Sequence, residues 1–173
     1  MPLVAPRGAV QRTQLLLAIV DPHERKDRAR LVQGECAIEL GDGNLAVPVL
    51  EQFLRVADRE RSEAARGHLA LGRARFLRGE NERAESSYQR VTELSEGPLA
   101  AEAQFRIGQA RQKDGNLQGA ADAFMSLPIL YVHKEWVLQG LLQSGIVYQQ
   151  MRQPTKAKHF FEELISKYPD SAE

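Results

Sequence analysis

Small and large apolar positions recur along the chain at a nearly fixed interval. Gly34, Gly72, Gly108 and Gly145 each lie within a run of helix-forming residues, spaced 38, 36 and 37 residues apart. Twelve residues after each glycine comes an alanine: Ala46, Ala84, Ala120 and Ala157. Four residues beyond each alanine stands a large apolar residue (Leu50, Tyr88, Phe124, Phe161), and three further on another (Phe53, Val91, Leu127, Leu164). Between glycine and alanine lies a turn signal: Gly41-Asp42-Gly43-Asn44, Gly79-Glu80-Asn81, Asp114-Gly115-Asn116 and Arg152-Gln153-Pro154. A period of this length points to stacked helix pairs. The small residue lets two antiparallel helices approach closely, and the bulky pair fills the gap to the next helix. One helix glycine, tolerated at ~1 kcal/mol, would mean little; four in phase mean packing.

The pattern predicts first helices at about 27–40, 61–78, 98–113 and 134–151, and second helices at about 45–57, 81–95, 117–127 and 154–168, each end uncertain by ~2–4 residues. Pro98 and Pro154 suit helix starts. Pro128 ends its helix early, and Ile129-Leu130-Tyr131-Val132 is expected as an apolar linker tucked against the stack. Pro22 stands twelve residues before Gly34, so residues 9–20 are expected to form the second helix of an earlier repeat, or a cap imitating one. The final stretch, Tyr168-Pro169-Asp170-Ser171-Ala172-Glu173, has the character of a linker between repeats, with no polar capping helix after it. Solenoids need caps over their apolar ends, so the chain is expected to be a piece of a longer array. The expected organisation is one solenoid domain over 1–173, with a partial repeat or cap at 9–22 and repeats at 27–58, 65–97, 101–133 and 138–169.

Composition agrees and narrows the function. Ala, Leu, Glu, Gln and Arg dominate and aromatics are only 6%, which favours an all-α chain. Lys plus Arg equals Asp plus Glu at 23 each, which argues against a dedicated nucleic-acid binder. The single cysteine, Cys36, forbids an intrachain disulfide and leaves both cytoplasm and periplasm or cell envelope open. The apolar run from Leu15 to Val20 is too short to span a bilayer, and no cleavage-site pattern follows it.

The grid resembles the tetratricopeptide repeat (TPR). In that family a small-residue pair, an aromatic in the second helix and a terminal proline define a helix–turn–helix. Leu71-Gly72, Ala84 and Tyr88 match; so do Ile107-Gly108, Ala120 and Phe124, and then Tyr148, Ala157, Phe161 and Pro169. The first repeat departs, with Ala37 where a tyrosine is common and a turn that aligns on either Gly41 or Gly43. The period exceeds the usual 34 residues. That length, with Tyr168-Pro169-Asp170-Ser171, is similar to bacterial cell-envelope TPR proteins of the Tol-Pal-associated and outer-membrane-assembly lipoprotein types. The resemblance implies a right-handed α-solenoid of antiparallel helix pairs, about four repeats plus an N-terminal helix, binding other proteins.

Chemistry is not indicated. His23, His68, His133 and His159 are not grouped with one another, with cysteine or with carboxylates at metal-ligand spacing. Cys36 has no histidine near it in sequence and is expected as a buried thiol. The glycine turns lack the Lys-Ser/Thr of a phosphate loop. Arg83/Glu80 and Glu162/Lys158 are helix neighbours on solvated faces. No catalytic residue, metal or cofactor is expected.

The resemblance also implies where a partner would lie, because first helices line the concave face of a TPR stack. The positions carried over are Glu35 and Glu39 in the first repeat, Arg73 and Phe76 in the second, Gln109, Gln112 and Lys113 in the third, and Ile146, Gln149 and Gln150 in the fourth. Leu31, Ile38, Leu69, Leu77, Phe105 and Leu142 are carried over with them. The amides suit the backbone of an extended peptide. TPR co-chaperones that grip an acidic tail use Lys, Asn and Arg; at those positions stand Leu31, Glu35, Ala70, Glu102 and Arg106, and only Arg106 fits. The expected function is a non-catalytic module binding a peptide or helix of a protein partner. The alternative is a structural element assembling with other copies, or with an envelope complex, through its ends or convex back.

Overall fold

The computed structural model describes residues 22–55 and 60–169. The helix expected over 9–20 lies outside the described residues, as do 56–59 and 170–173. Within them the chain forms α1 (Pro22–Glu39), α2 (Gly43–Leu54), α3 (Arg61–Leu77), α4 (Asn81–Leu94), α5 (Pro98–Lys113), α6 (Leu117–Met125), a single turn α7 (Leu127–Leu130), α8 (Lys134–Gln150) and α9 (Pro154–Lys167). Four helix hairpins stack in chain order: α1–α2, α3–α4, α5–α6 and α8–α9. The architecture is an all-α solenoid, and among the described residues each hairpin touches only its neighbours.

Each hairpin turns by the same device. After α1, the Gly41 N–H donates to the Ile38 carbonyl and the Asp42 N–H to Ala37 (2.9 and 2.8 Å). The pair repeats at Gly79 and Glu80, at Gly115 and Asn116, and at Arg152 and Gln153. This is the Schellman closure, which needs a left-handed residue just past the helix. Gly41, Gly79 and Gly115 supply it with φ of 75°, 76° and 79°. The structure thereby assigns the first turn to Gly41, while Gly43 opens α2. In the fourth turn Arg152 takes the position with φ 57°. A side chain there costs about 1–2 kcal/mol, against roughly 0.5–1 kcal/mol for the extra freedom of an unfolded glycine. Arg152→Gly is therefore expected to stabilise the protein by about 0.5–1 kcal/mol, seen as a higher urea midpoint with an unchanged slope.

The grid of small and large residues is the packing code of each hairpin. A Cβ added to Gly34 would lie 2.5 Å from Leu50, one on Gly72 2.4 Å from Tyr88, one on Gly108 2.5 Å from Phe124, and one on Gly145 2.4 Å from Phe161. Each bulky residue of a second helix thus rests on bare backbone of its first helix. The second bulky position reaches the next hairpin: Phe53, Val91 and Leu127 are wholly buried. Phe53 meets Gly67, and Leu127 meets Gly140. These belong to a further small position, five residues before each repeat glycine, filled by Ala29, Gly67, Ala103 and Gly140. Its spacing, 38, 36 and 37 residues, is as regular as that of the repeat glycines.

Two expectations are corrected. The 129–132 segment does not tuck against the stack. Leu127 occupies the inter-hairpin position, and the one-turn helix that follows aims the next residues outward: Ile129 is 79% and Val132 93% exposed, and Leu130 is exposed too. Tyr131 alone of the four is partly buried against the core. Cys36 is exposed, not buried. Its counterparts Ala74, Ala110 and Val147 are sealed against the preceding hairpin, and among the described residues no hairpin precedes α1.

Candidate interaction surface

Successive first helices touch one another (α1 with α3, α3 with α5, α5 with α8), whereas among the described residues the second helices of successive hairpins do not. The stack therefore curves toward its first helices, which line the inner side.

On that side the residues one, four and five positions after each repeat glycine meet across helices. The Arg73 guanidinium donates to Glu39 at 2.8 Å, and Arg66 lies 3.5 Å from Glu35. The Lys113 ammonium sits 4.3 Å above the Phe76 ring and donates to the Phe76 carbonyl at 3.3 Å. The Gln112 amide donates to Gln150 at 3.0 Å. Arg106 donates to Gln109 at 3.2 Å and to Glu102 at 3.3 Å. Gln149 is exposed and Ile146 half-buried beside them. Nine of the ten carried-over residues are thus linked to a neighbour on this face or exposed on it. Exposed pairs of this kind contribute about 0–1 kcal/mol each to folding. They hold their side chains in a row.

The apolar residues carried over with them behave differently. Leu31, Leu69 and Phe105, three before the glycine, are buried, and so is Ile38. Phe105 packs on Phe124 and Trp136 with ring centres 5.4 and 5.6 Å away. These residues join helices rather than line the inner surface, because each first helix is enclosed by its own second helix, the preceding one and its first-helix neighbours. Leu77 alone of the set is largely exposed, and Leu142 is half-buried.

Arg75 and Arg111, three after the glycine, went unnoticed in the sequence. Each crosses to the preceding second helix, Arg75 to Glu51 at 2.9 Å and Arg111 to Glu85 at 2.7 Å. They stand where Tyr148 stands in the fourth repeat, at the position where the family commonly has tyrosine, and that departure was the available signal. No group of three or more His, Cys, Asp or Glu suited to a metal occurs among the described residues, and none of their helices is long and apolar enough to cross a membrane.

Profiles of the tetratricopeptide repeat match residues 31–97, 69–128 and 139–171. The chain belongs to the tetratricopeptide-repeat family. Among solved structures, MamA aligns over 98% of this chain and 99% of its own with a TM-score of 0.71 and 19% identity. The apo form of RapI aligns over 94% of this chain and 64% of its own, with a TM-score of 0.73 and 14% identity. A putative kinesin light chain from Podosopora anserina, described by its nearly identical TPR-like repeats, aligns over 84% of this chain and 76% of its own, with a TM-score of 0.66 and 20% identity. At these identities the likeness is one of fold. No curated protein matches the sequence. TPR arrays are typically non-catalytic, and membership supports a protein–protein interaction module in general.

Proposed function

We propose that this TPR array binds an extended peptide or helical segment of a partner protein along the inner face of its first helices. The observation that carries the reading is the row of partly exposed side chains from Glu39 and Arg73 through Phe76 and Lys113 to Gln112 and Gln150. The row changes in character along the stack. Its charged first half offers paired donors and acceptors, and its amide-rich second half can hydrogen-bond a peptide backbone with little demand on sequence. Charge balance favours a protein over a nucleic acid as partner. Arg106, the one residue suited to gripping an acidic tail, already has Glu102 beside it at 3.3 Å, so such a tail is disfavoured on this face.

The test is capture of partners from the source organism by wild-type protein and by an Arg73→Glu, Gln109→Ala double variant shown by circular dichroism to fold. A partner held by wild type should be lost, with affinity falling at least about tenfold, since reversal at Arg73 also sets two carboxylates facing each other. Retention by the variant would move the site off this face.

One observation favours assembly as a second reading. Phe53, Val91 and Leu127 are wholly buried, but their counterpart Leu164 is only half-buried and Ile165 beside it is 58% exposed. The outer face of α9 is a surface on which another copy or subunit can pack. Light scattering of wild type and Ile165→Glu separates the readings, because only assembly through α9 changes mass with that substitution.

A further inference from the structure

The curvature that brings first helices together spreads second helices apart, and between α2 and α4 it leaves an open cleft of about 510 Å³ on the outer side. Its floor is α3. Four of its lining residues are basic by type, Arg55, His68, Arg75 and Arg90, against the single acid Glu51; Leu54 and Leu71 provide an apolar strip. We propose that this cleft binds an acidic peptide segment, its carboxylates on Arg55, Arg75 and Arg90 and an adjacent apolar side chain on Leu54 and Leu71.

The repeat supplies its own control. One hairpin further on, the same places hold Glu93 for Arg55, Gln104 for His68, Arg111 for Arg75 and Ser126 for Arg90. Stacking the hairpins therefore does not require the basic cluster. The two arginines at the shared place also differ in their surroundings. Arg111 donates from both Nε and Nη2 to Glu85, at 3.1 and 2.7 Å. Val47 stands where Glu85 would be for Arg75. Arg75 donates from Nη2 to Glu51 and from Nη1 to the Ser87 hydroxyl, both at 2.9 Å, and its Nε–H has no acceptor. Arg90 pairs with the exposed Glu93, and Arg55 has no carboxylate partner among the described residues. Among the described residues positive charge is left over at this cleft and balanced at the corresponding places one hairpin on.

His68 registers the excess. Burial lowers its pKa, Arg90 and Arg75 lower it further, and Glu93 opposes them weakly; Glu51 and Arg55 face the same cleft from α2. A carboxylate seated there would draw the pKa of His68 back up, since an opposite charge favours the protonated ring. The lining carries no Phe, Tyr or Trp ring on which a nucleobase would stack, and the apolar strip gives a peptide a contact that a bare anion lacks.

The experiment is fluorescence anisotropy at low salt with a labelled peptide alternating Glu and Leu, beside its Gln–Leu counterpart, inorganic phosphate and a thymidine oligonucleotide. The acidic peptide should bind, and Arg55→Glu with Arg90→Glu should weaken it at least about tenfold. Lys26→Glu with Lys158→Glu, which changes net charge equally but lies elsewhere, should leave affinity nearly unchanged. The His68 ring resonance, assigned with His68→Gln, should titrate at higher pH in the complex. If the charge reversals disturb the circular dichroism melt, Arg55→Gln with Arg90→Gln takes their place. Equal binding of the neutral peptide, equal loss in both variant pairs, or tighter binding of phosphate or oligonucleotide than of the acidic peptide would overturn the proposal. The Arg73→Glu, Gln109→Ala variant should bind this peptide as wild type does, so failure on the inner face and failure here are distinguishable.

Discussion

Phe124→Ala is expected to remove about 3–5 kcal/mol of stability, the range for emptying a buried aromatic site, measured as a drop in the urea midpoint. Phe124 is wholly buried. Its ring covers the bare backbone of Gly108 and tilts against Phe105, and its carbonyl lies where a Cβ on Gly140 would be met at 2.8 Å. Three helices, α5, α6 and α8, therefore meet at this residue, its ring packed on α5 and its backbone against α8. The loss should sit at the upper end because the neighbouring backbone cannot collapse into the gap without pulling α5 and α8 out of register. Phe161→Ala makes the comparison. It rests on Gly145 in the same way but is only partly buried, with no hairpin beyond it among the described residues. Its loss should be clearly smaller. Equal losses would mean that the hairpin contact alone, and not the junction with the next hairpin, sets the cost.

Gly72→Ala should also destabilise, and here the sign is the test. Were Gly72 an ordinary helix glycine, alanine would add about 1 kcal/mol of stability through propensity. The methyl would instead come within 2.4 Å of the Tyr88 ring, which is itself buried. Overpacking of a rigid site costs about 1–3 kcal/mol, so a net loss is expected, deepening with Gly72→Val. Tyr88 also gives the hairpin an optical label. Burial holds its phenol well above the usual tyrosine pKa, so its ionisation should require alkali strong enough to open the hairpin. Pairing Gly72→Ala with Tyr88→Leu should recover part of the loss, because the shorter side chain makes room. Absence of any coupling between the two would show that the contact is not what constrains position 72.

Those two sites were legible in the sequence, and the reason is geometric. A helix packs at a fixed spacing, so a residue that must be small and its bulky counterpart recur at constant separation, and Gly34, Gly72, Gly108 and Gly145 stand out even without an alignment. Gly67 and Gly140 obeyed the same logic but met partners in a different hairpin, a relation visible only once the stacking is known. The inner face was read in part. Of the positions carried over from the resemblance, Glu39, Arg73, Lys113 and Gln150 pair across first helices, whereas Leu31, Ile38, Leu69 and Phe105 are buried, because a carried-over position does not say how many neighbours enclose a first helix. Cys36 was misread for the complementary reason: its stripe is covered in the inner repeats and open at this end. The outer cleft was not legible at all. Arg55, His68, Arg75 and Arg90 are spread over 36 residues and three helices, and only the curvature gathers them.

Contacts that, among the described residues, run only between adjacent hairpins carry a consequence for how such a chain changes over generations. A barrel or sandwich has a closing seam, and an inserted unit breaks it. Among the described residues this stack has none, so a segment one period long can be duplicated or deleted between Gly34 and Gly145 while its neighbours keep their own interfaces. The inner row lengthens or shortens by one rung, and the outer positions of each hairpin are free to diverge separately, as those over α3 and their counterparts over α5 differ in charge.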